Sequence, residues 1–125
     1  MQVNVDAITA AATAAGFALV SDRVFTEPTA FPALCVYQRT LPEIGQDEAG
    51  IFWHETWRYQ VAVFVKTADF TEMETLESTL DAELKTRECN VTSRMHYEAM
   101  VNNVDVIVSL ATVTRAYRRQ FLPNE

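Results

Sequence analysis

The chain has 125 residues, of which 49% are hydrophobic, and a formal net charge of −7 at pH 7. This length is typical of a single domain, and the apolar content is enough for one core without disulfides or metals. The negative charge repels a phosphate backbone, so we expect no direct nucleic-acid binding. The start resembles no signal peptide and no apolar stretch could span a bilayer, which predicts a cytosolic protein with Cys35 and Cys89 as free, buried thiols.

The first part of the chain predicts a helix followed by strands. Asn4 or Asp6 is expected to cap an alanine-rich helix, and Gly16 is available as the left-handed residue that ends it. The segment 17–25 is predicted to enter a sheet. Residues 33–39 are rich in strand formers and predict a central strand.

A polar stretch and a long alternating stretch come next. Residues 41–50 contain a proline, two glycines and several acids, which predicts a loop and the most mobile part of the chain. From Phe52 to Lys66, apolar and polar residues alternate, which predicts a strand. One face of this strand is expected to carry Trp57, Tyr59, Val61, Val63 and Val65.

A second helix is predicted from a capping-box pattern at residues 71–74. Apolar residues recur at helical spacing on one side of it, namely Phe70, Met73, Leu76, Leu80 and Leu84. The acids are expected to form its solvated face, namely Glu72, Glu74, Glu77, Asp81 and Glu83.

The last third of the chain predicts a hairpin. Residues 91–101 fit either a strand or a helix, and we favour a strand. Asn102 and Asn103 indicate a turn, and the following run rich in Val, Ile and Thr, residues 104–117, predicts the second strand. The order helix, strands, helix, strands predicts a single α+β domain over residues 1–125, with an antiparallel or mixed β-sheet packed with two helices.

No group of residues has the pattern of a catalytic, metal or cofactor site. His54, His96, Cys35 and Cys89 occur at no familiar metal-ligand spacing. No nucleophile elbow is present, and three glycines do not form a phosphate-binding loop. We therefore expect a protein that is not an enzyme and needs no cofactor. A different class stays open as an alternative, a small-molecule-binding or hydrolytic α+β domain with a pocket under Trp53, Trp57 and His54.

Two groups of residues are candidates for protein contacts. The first is an acidic segment that runs into two aromatic residues, comprising Glu43, Asp47, Glu48, Phe52 and Trp53. The second is the arginine-rich end of the last strand, comprising Arg115, Arg118 and Arg119. Packing at a strand edge and a solvated strand end are the ordinary alternatives. If the two groups lie at opposite ends of one surface, the acidic loop of one copy could meet the arginine end of the next and close a ring.

The segment Glu27-Pro28-Thr29-Ala30-Phe31-Pro32-Ala33-Leu34-Cys35-Val36-Tyr37 carries a family resemblance. It is similar to the Phe-Pro-Ala-x-x-Val-Tyr core of the lambda-type phage tail-terminator family, also called minor tail protein U. The acidic loop, the Trp-bearing strand and the acidic helix follow in the family's order at comparable spacing. The resemblance covers residues 5 to 84, and the chain departs from the lambda pattern after Arg87.

The resemblance implies a structural virion protein without catalytic residues. Such a subunit forms a hexameric ring on the finished tail tube, stops its polymerisation and presents the surface that joins the head. Its partners are the tail-tube protein and the head-completion protein, and its location is the host cytoplasm during assembly and then the virion tail. A head-completion or neck protein of the same assembly is the alternative within this class.

Overall fold

The computed structural model describes residues 2–22, 28–39, 43–46 and 52–120, with only the backbone described for 2–4, 22, 38–39, 43–46, 52–54 and 117–120. The elements are α1 (Gln2–Ala15), β1 (Leu19–Asp22), β2 (Ala33–Arg39), β3 (Glu43–Gln46), β4 (Phe52–Lys66), α2 (Met73–Thr86), β5 (Cys89–Val101) and β6 (Val104–Gln120). The strand order is β1-β2-β4-β6-β5, and β3 also pairs with β4. β1 is parallel to β2, whereas the other pairs are antiparallel. The predicted α+β class with a mixed sheet and two helices is confirmed.

Helix α1 begins before the predicted caps. It starts at Gln2, so Asn4 and Asp6 lie inside the helix rather than at its N-cap. Its end is as predicted, because Gly16 has a φ of 97° and its N–H donates to the carbonyl of Thr13. The strand predicted over 17–25 is described as β1, Leu19–Asp22, and residues 23–27 lie outside the described residues.

The loop predicted over residues 41–50 is wrong for 43–46. These residues form β3, which pairs antiparallel with the first part of β4 from Glu43 opposite Thr56 to Gln46 opposite Trp53. β2 pairs with a later part of the same side of β4, so β2 and β3 follow one another along it. Hydrogen bonding to a long neighbouring strand thus outweighs the loop-like composition of this segment. β4 itself has the predicted bounds.

The capping box predicted for α2 is also wrong. A 3₁₀ segment, Thr67–Glu72, precedes the helix, and the N-cap residue Glu72 makes no side-chain capping hydrogen bond. Phe70 belongs to this segment rather than to the apolar side of the helix, and it is 57% exposed. The buried residues of α2 are Met73, Leu80 and Leu84.

Residues 91–101 are a strand, as we favoured, within β5. Asn102 and Asn103 both have positive φ, at 49° and 62°, which suits the tight turn between β5 and β6. The side-chain amide of Asn102 also donates to the carbonyl of Pro28 at 2.7 Å, which ties this turn to the segment before β2. The predicted closing hairpin is therefore confirmed, with β6 extending to Gln120.

Each face of the sheet has its own apolar cluster. On one face, residues of both helices pack against alternate residues of the central strands, and the predicted face of β4 from Trp57 to Val65 lies in this main core. On the other face, a second cluster forms around Cys35, Ala62, Phe64 and Val108. Cys35 and Cys89 are buried on opposite faces and are not joined in a disulfide, as predicted. No helix in the described part of the chain is long and apolar enough to cross a membrane.

Candidate assembly surface

β4 and β6 extend together beyond their neighbours. The pairing of β2 with β4 ends at Tyr59, and the pairing of β5 with β6 ends at Arg115. Beyond these positions, residues 53–56 of β4 pair with β3 on one side, and residues 52–56 pair with residues 116–120 of β6 on the other. We call these three segments the arm. At roughly 3.3 Å per residue, five paired residues give it a length of about 16 Å.

The arm brings together most of the residues predicted to form interfaces. Trp53 lies between Gln46 of β3 and Arg119 of β6 in the pairing register. Its neighbour Phe52 is opposite Gln120, and Arg118 is opposite His54. Glu43 stands at the start of β3, whereas Asp47 and Glu48 lie outside the described residues.

This register corrects the arrangement on which the head-to-tail hypothesis was based. Glu43 is opposite Thr56, and Thr56 is in turn opposite Ala116, so the described acidic segment and the arginine end are separated by one strand. Both groups lie at the same end of the sheet rather than at opposite ends of a surface. The reason is that β3, β4 and β6 are adjacent antiparallel strands, which the order of residues in the chain does not reveal.

Arg115 is separated from the other two arginines. It lies where the arm joins the rest of the sheet, between Trp57 and Cys89 in the register. There it lines a cleft of about 530 Å³ together with Asp6, Ala7, Thr86, Arg87 and Glu88. Burial raises the pKa of the Cys89 thiol, and the nearby Arg115 and Arg87 partly oppose this effect. Arg115 therefore faces the helices, not the arm.

A polar cluster between α2 and β5 was missed by the sequence analysis. The guanidinium of Arg94 donates to the two carboxylate oxygens of Asp81 at 2.6 and 3.0 Å. Its Nε lies 3.3 Å from Glu77, which also contacts His96 at 2.5 Å. The prediction that Glu77 belongs to a solvated face is thus wrong, because its side chain is only 12% exposed. Asp81 binds Arg94 but is still 39% exposed. The signal was the alternation of Arg94 and His96, which becomes informative only if 91–101 is a strand.

Large exposed apolar side chains are concentrated on β5, another feature that the sequence analysis did not single out. Met95, Tyr97 and Met100 are 59%, 44% and 64% exposed. Tyr97 also lines a cleft of about 290 Å³ with Tyr37, Ala62, Phe64 and Leu110 on the face away from the helices. Burial, with a smaller contribution from Tyr97, raises the pKa of Tyr37.

The alternative pocket was expected under Trp53, Trp57 and His54. Trp57 is partly buried and packs against the main core, while only the backbone is described for the other two residues. Within the described parts of the chain, no three His, Cys, Asp or Glu side chains are grouped so that they could hold a metal ion.

In comparisons with known proteins, the chain matches no protein-family model and no curated protein.

Proposed function

We propose that the chain is a tail-terminator subunit of a phage-like particle, which forms a ring on the tail tube and stops its growth. The observation that carries the proposal is the arm, because a three-stranded extension about 16 Å long can reach a neighbouring copy. The paired residues of the arm include Phe52, Trp53, Arg118 and Arg119. Aromatic and arginine residues are the types most enriched at the centres of protein interfaces.

The position of the resembling segment agrees with this proposal. Ala33–Tyr37 lies in β2, an interior strand between β1 and β4, and Leu34 and Val36 are buried in the main core. The segment that resembles the tail-terminator family thus builds the body of the domain. A core segment of this kind supports a shared fold, whereas the arm supplies the surface for assembly.

The position of the arm also determines which surfaces of neighbouring copies we expect to meet in a ring. Since the acidic segment and the arginine end share one arm, we propose that the arm of one copy contacts the body of the next. The 3₁₀ segment and the first turn of α2 form a suitable acidic target, because Asp69, Glu72 and Glu74 are all exposed there. Arg118 and Arg119 of the neighbouring arm have the complementary charge. Such a contact is heterologous and can close into a ring.

The decisive experiment is a tube-growth assay with a purified phage tail-tube protein. The native chain should cap growing tubes, limit their length and appear as rings at tube ends by negative-stain imaging. The double variant Arg118→Glu, Arg119→Glu should lose both effects. A control is Lys85→Glu, a charge reversal at an exposed position outside the arm and the acidic target, compared with the single variants Arg118→Glu and Arg119→Glu; it should still cap tubes.

Three results would contradict the proposal. One is a native chain that neither binds tubes nor limits their length. Another is equal capping activity of the arm variants and the control variant, which would show that capping does not need the arginines of the arm. The third is binding to filled heads in the absence of tubes, which would favour the head-completion alternative.

A further inference from the structure

The outer edge of β5 is a second candidate interaction surface, separate from the arm. β5 is the last strand of the sheet and, among the described residues, pairs only with β6. It is 13 residues long and carries three of the large exposed apolar side chains, Met95, Tyr97 and Met100. Proteins usually protect such an edge with charges, proline or a covering element, because its free backbone groups pair readily with another strand. This edge has no proline, its bulge lies near its start, and its charged residues Arg94 and Glu98 are of opposite sign, so it can pair with a strand of complementary charge.

We infer that the partner is β5 of a second copy, paired antiparallel about a two-fold axis at His96. In such a pair, the residue a given number of positions before His96 is opposite the residue the same number of positions after it. Met95 is then opposite Tyr97 of the second copy, and Arg94 is opposite Glu98. The two-fold axis produces each of these contacts twice.

The apolar part of this contact lies on the face away from the helices. Tyr97 lines the cleft on that face, and the alternation of side chains along β5 places Met95 on the same side. Directly opposed side chains in an antiparallel pair are about 5 Å apart, which brings the Met95 thioether to the Tyr97 ring. Both side chains are now about half exposed, so pairing would remove them from water.

The charged part lies on the helix face. Arg94 points toward α2, where it binds Asp81, and Glu98 is exposed on the same side of the strand. A guanidinium has five N–H donors, so Arg94 can keep its bonds to Asp81 and also approach Glu98 of the second copy. The contact therefore combines opposite charges on one face with apolar side chains on the other.

The bulge in β5 and the charges together select the position of the axis. The register between β5 and β6 shifts between Val91 and Ser93, so regular pairing is available from Ser93 onward. With the axis at His96, residues 93–99 pair with their counterparts. If the axis moved to Tyr97, Arg94 would be opposite Met100 instead of Glu98. If it moved to Met95, Glu98 would be opposite Thr92 at the bulge.

This contact is separate from the ring proposed above. It uses β5 rather than the arm, and a two-fold contact by itself stops at a dimer. A seven-residue strand pair is smaller than a standard interface of about 800 Å² per partner, so we expect a dimer that dissociates on dilution. Charge reversal in the arm should leave this dimer intact, which separates the two proposals experimentally.

The first test is sedimentation of the full chain over a range of concentrations. The native chain should show a monomer–dimer equilibrium. Met95→Lys and Glu98→Arg should each shift it to monomer, the first by placing a charge against Tyr97 and the second by opposing Arg94. Met100→Lys is the matched control, because Met100 is on the same strand and more exposed but lies outside the paired stretch. A native chain that stays monomeric, or equal dissociation by the control, would overturn the inference.

The second test reports the register itself. A cysteine in place of His96 lies next to its own counterpart across the axis, so His96→Cys should form a disulfide-linked dimer on mild oxidation. Met100→Cys has no counterpart at pairing distance and should form no disulfide-linked dimer. The native thiols are buried and should not interfere. Faster cross-linking at position 100 than at 96 would exclude this register.

Discussion

Arg94 on β5 and Asp81 on α2 form a bidentate ion pair, with donor–acceptor distances of 2.6 and 3.0 Å. The pair connects a helix to the edge strand, and its hydrogen bonds raise the pKa of Arg94 above its usual value. A second acid, Glu77, has only 12% of its side chain exposed and lies beside the same guanidinium.

We expect Arg94→Met to lower the free energy of unfolding by about 1–2 kcal/mol, because it leaves Glu77 and Asp81 without their shared partner. Arg87→Met is a suitable control, since Arg87, the C-cap residue of α2, pairs with Glu83 one turn earlier, and i,i+4 pairs of this kind contribute roughly 0.3–0.5 kcal/mol. Urea unfolding followed by circular dichroism measures both. Equal losses in the two variants would show that the pair between α2 and β5 has no special role.

The two thiols should be unreactive in the folded protein. Cys35 and Cys89 are 2% and 1% exposed, and burial raises the pKa of Cys89, which lowers the fraction of reactive thiolate. We expect slow reaction with a thiol reagent such as Ellman's at neutral pH and rapid reaction of both thiols in denaturant. Rapid reaction of the native protein would mean that the region around β2 or β5 opens readily.

Tyr37 should make stability depend on alkaline pH. Its pKa is raised above the ordinary tyrosine value of 10.0, mainly by burial. The unfolded chain therefore loses this proton at a lower pH than the folded chain. The contribution of Tyr37 to stability is fully present below the unfolded pKa and is lost as pH rises from that value through the folded pKa.

The measurement is urea unfolding across this alkaline range for the native chain and for Tyr37→Phe. The variant should show a smaller loss of stability with rising pH, because it has no phenol to ionise at this position. Parallel slopes for the two proteins would contradict the prediction. Absorbance titration of tyrosinate formation gives an independent reading of the same group.

Ser109 is a buried polar residue in the middle of β6. It is fully buried, and its hydroxyl makes no hydrogen bond within the described part of the chain. We expect Ser109→Ala to stabilise the fold by up to about 1 kcal/mol, because an unsatisfied buried hydroxyl is unfavourable. Ser93→Ala is the control, since Ser93 is exposed and bonds Thr112 at 3.1 Å, so its removal should be neutral or slightly destabilising. Thermal unfolding would distinguish the two directions.

Local pattern predicted most of the elements correctly. Alternation along residues 52–66 gave the bounds of β4, and the Asn102-Asn103 pair marked the turn before β6. These signals are strong because side chains alternate between the faces of a strand and because asparagine tolerates positive φ. The errors at Thr71 and at residues 43–46 came from places where contacts distant in sequence decide the local structure.

The surfaces were harder to predict than the elements. Glu77 and Asp81 are indistinguishable in the sequence from the solvated acids of α2, and only the packing of α2 beside β5 brings them to Arg94. The sequence by itself determined an acidic α+β domain with two buried thiols and an arginine-rich end. Only the tertiary structure decided that Trp53 and Arg119 are neighbours and that β5 is the last strand of the described sheet. The reason is that hydrogen bonds between strands join residues far apart in the chain, and a single sequence does not show which strands are adjacent in the sheet.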